Sequence, residues 1–164
     1  MTFLIRNLPC LVAMTVVLGF FGNPCQAASG TASKTLTGVI VEVTSGDSIL
    51  LRTEDNREIP LNLWGIDSPE INNKTGQRAR KYTARLVEGE IVTANVKART
   101  SDGRLLCRVF FDGNRDLAEE LLKEGYAVWV LKLAPDEVSY EAAQTIAQDK
   151  RRGLWKQWLP KTGL

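Results

Sequence analysis

Apolar and polar positions alternate in three short segments, Leu36 to Val43, Ile49 to Thr53 and Arg57 to Trp64, all rich in Val, Ile and Leu. Ser45-Gly46-Asp47 and Glu54-Asp55-Asn56 separate them and have turn composition, so the pattern predicts a three-strand meander. Pro60 cannot donate to a ladder and marks an edge or a bulge in the third strand. From Gly76 to Glu88 the period lengthens: Ala79, Tyr82, Leu86 and Val87 recur at spacings of three and four with cations between them, which predicts an amphipathic helix. Two further strands follow, Ile91 to Val96 and Leu105 to Phe111, joined by residues 97–104. Asp116 is placed to cap a helix with the stripe Leu117, Leu121 and Leu122, ended by Gly125. A last helix runs from about Ser139 to Arg152 through Tyr140, Ala143, Ile146 and Ala147, with Lys150, Arg151 and Arg152 at its negative end. Trp155 and Trp158 are expected to pack back onto the body. Five strands, one helix before the fourth and two after the fifth predict an α+β chain, a five-stranded OB-type barrel with about three helices. The first three strands leave no room for crossover helices, which argues against a parallel α/β sheet.

Composition narrows the chemistry. The 164 residues are 44% hydrophobic and 24% charged, enough for one compact domain, and none is histidine. Imidazole bases, His-ligated zinc and Ser-His or Cys-His pairs are therefore excluded. Residues 1–27 read as an export signal: Arg6, an apolar run of 14 residues from Leu8 to Phe21, then Pro24 and small residues up to a cleavage point after Ala27. That run is shorter than the roughly 20 residues of a membrane span, so an exported protein without a stable membrane anchor is expected, extracellular or periplasmic. Residues 28–35 read as a flexible leader and 36–159 as the folded domain. Without the signal, 20 basic side chains face 19 acidic ones, so bulk charge names no partner. Between Lys74 and Arg104, however, eight cations face only Glu88, Glu90 and Asp102. Such a run is either a solvated helix face or a groove that follows phosphates. Cys107 remains alone in the apolar run from Leu105 to Phe111 and reads as a buried small hydrophobe.

Carboxylates punctuate the strand ends. Asp67 and Glu70 stand three residues apart in Trp64-Gly65-Ile66-Asp67-Ser68-Pro69-Glu70, and Asp47 sits in the first turn of the meander. A hard cation takes such oxygen ligands. Asp after Gly, and Asp-Ser-Pro, are also ordinary turn language, so spacing alone leaves both readings open.

Taken in order, Gly46-Asp47-Ser48, Gly65-Ile66-Asp67-Ser68-Pro69-Glu70, Asp102-Gly103-Arg104 and Asp112-Gly113 through Gly125 resemble the successive motifs of the staphylococcal nuclease (thermonuclease) family. The resemblance runs from about Leu36 to Trp155. It implies a calcium-dependent phosphodiesterase that cuts DNA and RNA with low sequence specificity, acting on single-stranded or unpaired strands, in a monomeric, secreted protein. Position by position it implies Asp47, Asp67 and the Ser68 carbonyl as Ca²⁺ ligands, Glu70 as general base, and Arg104 as the guanidinium that meets the scissile phosphate. Four positions depart from the family. Asn62 stands where a second phosphate-binding arginine is expected, and Ser45 where an acidic residue is frequent. Leu131 and Leu133 stand where tyrosines stack a base, with Trp129 as a nearby substitute. Loss of one donor to a transition-state anion costs about 10²- to 10³-fold, so reduced activity is expected unless Arg52, Arg57 or Arg108 supplies the charge. The alternative is a catalytically impaired OB module that binds nucleic acid or protein.

Overall fold

The computed structural model describes residues 34–157, so the segment read as an export signal, most of the leader and Trp158 lie outside the described residues. Twelve elements follow in order: β1 (Thr35–Val43), β2 (Ser48–Thr53), β3 (Glu58–Leu63), β4 (Ile66–Asp67), α1 (Lys74–Val87), β5 (Ile91–Arg99), β6 (Leu105–Phe111), β7 (Arg115–Asp116), α2 (Leu117–Lys123), β8 (Val128–Trp129), α3 (Val138–Asp149) and a 3₁₀ turn (Gly153–Gln157). The sheet starts at Thr35, whose partner is Asn95, and α1 starts two residues earlier than its apolar period suggests. Asn73 is the reason for the second shift, because its side chain accepts from the Gly76 amide at 2.8 Å.

β1, β2 and β3 form the expected antiparallel meander, with β1 also antiparallel to β5 and β5 to β6. β5 runs three residues beyond the predicted Val96 through a bulge between Val96 and Ala98. Closure comes from a parallel pair, β3 with β6, through Leu61↔Leu105, Asn62↔Leu106 and Leu63↔Cys107. The result is a closed five-stranded barrel with three helices. Pro60 lies one residue before that closure begins, on a stretch of β3 with a single ladder partner.

Period-2 alternation sends Ile49, Leu51, Leu61, Leu63, Cys107 and Val109 inward, where all are essentially inaccessible. Val87 of α1, Leu117, Leu121 and Leu122 of α2, and Tyr140 and Ala143 of α3 extend the same core. Burial pushes the Cys107 thiol up to about 11, which suits a packing residue and not a nucleophile. The buried stripe of α1 is Gly76, Ala79, Thr83 and Val87, one step round from the stripe through Tyr82 and Leu86, both of which are only half-buried. Asp116 caps α2 as expected, accepting from the Ala118 amide at 2.8 Å. α3 stops at Asp149, and Arg152 serves another helix instead. Its guanidinium donates to the Lys123 carbonyl and to Glu124, at 3.3 and 2.6 Å. No helix among the described residues is long and apolar enough to cross a membrane.

Candidate active site

Two backbone segments and one helix meet at the start of β2. The β1–β2 turn carries Asp47, whose carbonyl accepts from the Leu63 amide at 2.8 Å and is thereby pinned to β3. Gly46 is pressed against the second segment: a Cβ there would overlap Ser68 Oγ and crowd Ala79. α1 holds the turn from the other side. Thr83, fully buried, donates to the Gly46 carbonyl at 2.7 Å, and Arg80 donates to the Val43 carbonyl at 2.6 Å.

β4, which carries Asp67, pairs with β8 through Ile66↔Trp129 and Asp67↔Val128. Ser68 donates to the Tyr126 carbonyl at 3.1 Å. The chain then turns into α1, where a Cβ on Gly76 would overlap the Glu70 carbonyl, so the first helical turn packs directly on the Pro69-Glu70 backbone. Glu70 is thus set by a glycine, while Asp47 is set by a threonine.

The three acidic side chains share one electrostatic environment. Partial burial raises the Asp67 carboxyl above the usual range, and the negative charges of Asp47 and Glu70 push it further. Ser45 donates to Asp47 Oδ1 at 2.7 Å, and no ion pair with any of the three acids is formed among the described residues. Two carboxylates and a backbone carbonyl on apposed turns, with uncompensated charge, are the donor chemistry of a hard divalent cation, so these residues fit one. Among the described residues no set of three or more His, Cys, Asp or Glu side chains stands in ligating geometry.

Arg104 immediately precedes β6. Leu106 alternates outward with it and is the register partner of Asn62, which on its other side faces Ser48, the neighbour of Asp47. Asn62 therefore lies on the outer face between the Asp47 turn and the Arg104 strand, half-buried and with no side-chain hydrogen bond among the described residues. Arg104 is exposed and pairs with Asp102 at 2.8 Å. The Thr100 hydroxyl first, and Arg104 second, hold the Asp102 carboxyl below its usual range. An exposed pair of this kind exchanges readily for another anion.

None of the substitute arginines is uncommitted. Arg52 pairs with Glu58 at 2.7 Å and Arg57 with Asp55 at 2.5 Å. Arg108 points outward like Arg104, as strand parity predicts, but it is claimed by Asp116, Glu119 and Glu137 at 2.5, 3.3 and 2.9 Å. Leu131 and Leu133 are exposed on the segment after β8, while Trp129 Nε1 donates to the Ala134 carbonyl at 3.0 Å. Thr83 and Arg80 are the positioning residues that the reading of functional motifs misses. For Thr83 the signal is present in the sequence as one polar residue on the Ala79–Val87 stripe.

Comparison with known proteins identifies the family. A family model described as "Staphylococcal nuclease homologue" matches residues 60–157. An "Uncharacterized endonuclease" of Haemophilus influenzae is 31% identical over 116 residues, which cover 71% of this chain and 64% of that protein. "Endonuclease YhcR" of Bacillus subtilis is 25% identical over 150 residues, covering 80% of this chain and 12% of that protein. The chain thus spans less than two thirds of the length of these relatives. From the barrel, the order of its motifs and the family match, the chain belongs to the staphylococcal nuclease homologues.

Proposed function

We propose that this protein is a calcium-dependent nuclease that hydrolyses phosphodiester bonds of unpaired DNA and RNA with little sequence preference, and that it is exported. The observation that carries the reading is the trio Asp47, Asp67 and Glu70, in which the charges of Asp47 and Glu70 both act on Asp67 while no cation among the described residues pairs with any of the three. A phosphodiester is an anion that repels a hydroxide, so its hydrolysis needs positive charge and a base in place together. A divalent ion held by Asp47, Asp67 and the Ser68 carbonyl would supply that charge. Glu70, whose backbone packs against the first turn of α1, would take a proton from the attacking water. Arg104 exchanges its exposed partner Asp102 for the phosphate and offers a fixed fork of donors that never deprotonates.

Asn62 occupies the outer face where a second guanidinium would complete the clamp. It favours a slow enzyme over a fast one, and the non-catalytic binding module is the limit of that trend. Incubating the protein with denatured DNA, with calcium or with a chelator, beside Glu70→Gln, separates the two. Calcium-dependent cleavage that falls about 10²- to 10⁴-fold in the variant is the expected result. Binding with no cleavage at high protein concentration would make the chain a binding module.

A further inference from the structure

α1 presents a second feature on its exposed side. Arg78, Lys81, Tyr82 and Arg85 recur at i, i+3, i+4 and i+7, which is one face of a helix. With Tyr126, which follows α2, they line a cleft of about 190 Å³. The Tyr82 and Tyr126 rings are tilted against each other at 5.0 Å between centroids, and the Arg85 guanidinium stands 5.1 Å from the Tyr82 ring centre. No acidic residue lines the cleft.

Its charge is uncompensated. Arg78, Lys81 and Arg85 form no ion pair among the described residues, whereas Arg52, Arg57, Arg104, Arg108, Arg115 and Arg152 all do. The acids whose charge reaches Tyr82 are Glu120 of α2 and Glu124, the residue that ends it. Glu120 is occupied by Arg115 and Lys123, and Glu124 by Arg152. The cleft also touches the proposed catalytic segment, because the Tyr126 carbonyl is the acceptor of the Ser68 hydroxyl at 3.1 Å.

Aromatic rings among cations that have no resident anion are the elements that hold single-stranded nucleic acid: bases pack on the rings and phosphates meet the cations. Arg78 to Arg85 spans about 10 Å of helix, so the cations form a row along it. We infer that this cleft is an accessory site for the unpaired strand, gripping a nucleotide beside the one being cut. The inference rests on the nuclease reading for its choice of polymer, but not on metal binding or on cleavage.

The test is therefore a binding measurement in chelator, with a fluorescein-labelled twelve-nucleotide oligothymidylate and the full chain, read by anisotropy across a salt series. The variant Arg78→Gln/Lys81→Gln/Arg85→Gln changes only exposed side chains. It is expected to weaken binding at least tenfold and to lower the slope of log affinity against log salt by about two. Tyr82→Leu, checked by thermal melting, is expected to weaken binding by about tenfold with the slope unchanged. A charge-matched control, Lys97→Gln/Lys150→Gln/Lys156→Gln, is expected to lose markedly less. Equal losses in the control and the cleft variant, or no binding by the wild-type chain, would overturn the inference. Failure of the nuclease reading shows separately, as oligonucleotide bound in this assay and left uncut when calcium is restored.

Discussion

Two sets of three carboxylates sit on opposite sides of the same problem. Asp116, Glu119 and Glu137 converge on Arg108, whose guanidinium gives each of them a hydrogen bond while it stands over the Phe110 and Tyr140 rings. Asp116 is 6% exposed, and burial raises its carboxyl above the usual range even with Arg108 pulling the other way. Asp47, Asp67 and Glu70 have no such partner, and Asp67 remains exposed. The first set binds α2 and α3 to the barrel by bringing its own cation. The second has no cation paired with it among the described residues. A carboxylate set that brings its own guanidinium is a structural joint, whereas one without it leaves room for a cation from solution, the role proposed above for Asp47, Asp67 and Glu70.

Removing the resident cation should break that contrast most. Arg108→Met leaves three partly or fully buried carboxylates unpaired and is expected to lower stability by about 3–5 kcal/mol, measured by urea denaturation. Calcium sharpens the other half of the contrast. At about a hundred times its dissociation constant it should stabilise the wild-type chain by about 2.7 kcal/mol, seen as a rise in melting temperature, and Asp47→Asn should lose most of that rise. Thr83→Val keeps the shape of the side chain but leaves the Gly46 carbonyl without its buried donor. A loss of about 1–3 kcal/mol is expected, with a weaker calcium response because the Asp47 turn loosens. Asn62→Arg adds a second guanidinium on the outer face, and turnover on denatured DNA should rise about tenfold or more.

Local signals in the sequence carried most of the secondary structure. Alternation placed β1, β2, β3 and β6, Asp116 announced the start of α2, and Pro60 sits where β3 has only one ladder partner. What stayed hidden is non-local. The parallel pairing of Asn62 with Leu106 joins residues 44 apart and leaves no periodic trace, yet it is what puts Arg104 on the face shared with Asn62 and the Asp47 turn. Arg108 shows the same limit from the other side: strand parity gives its direction correctly and says nothing of the acids that arrive from Asp116, Glu119 and Glu137. The ordered motifs named the acidic trio, while the threonine that fixes Asp47 was visible only as a polar interruption in an apolar stripe.

The parallel β3–β6 seam also orders events in time. All three acids are contributed before Ile71, and Arg104 comes only with the entry to β6, the strand that shuts the barrel. A chain ending before Arg104 would hold every acidic group of the proposed site and still lack the guanidinium proposed to meet phosphate, so cleavage should appear late in folding, as β6 docks.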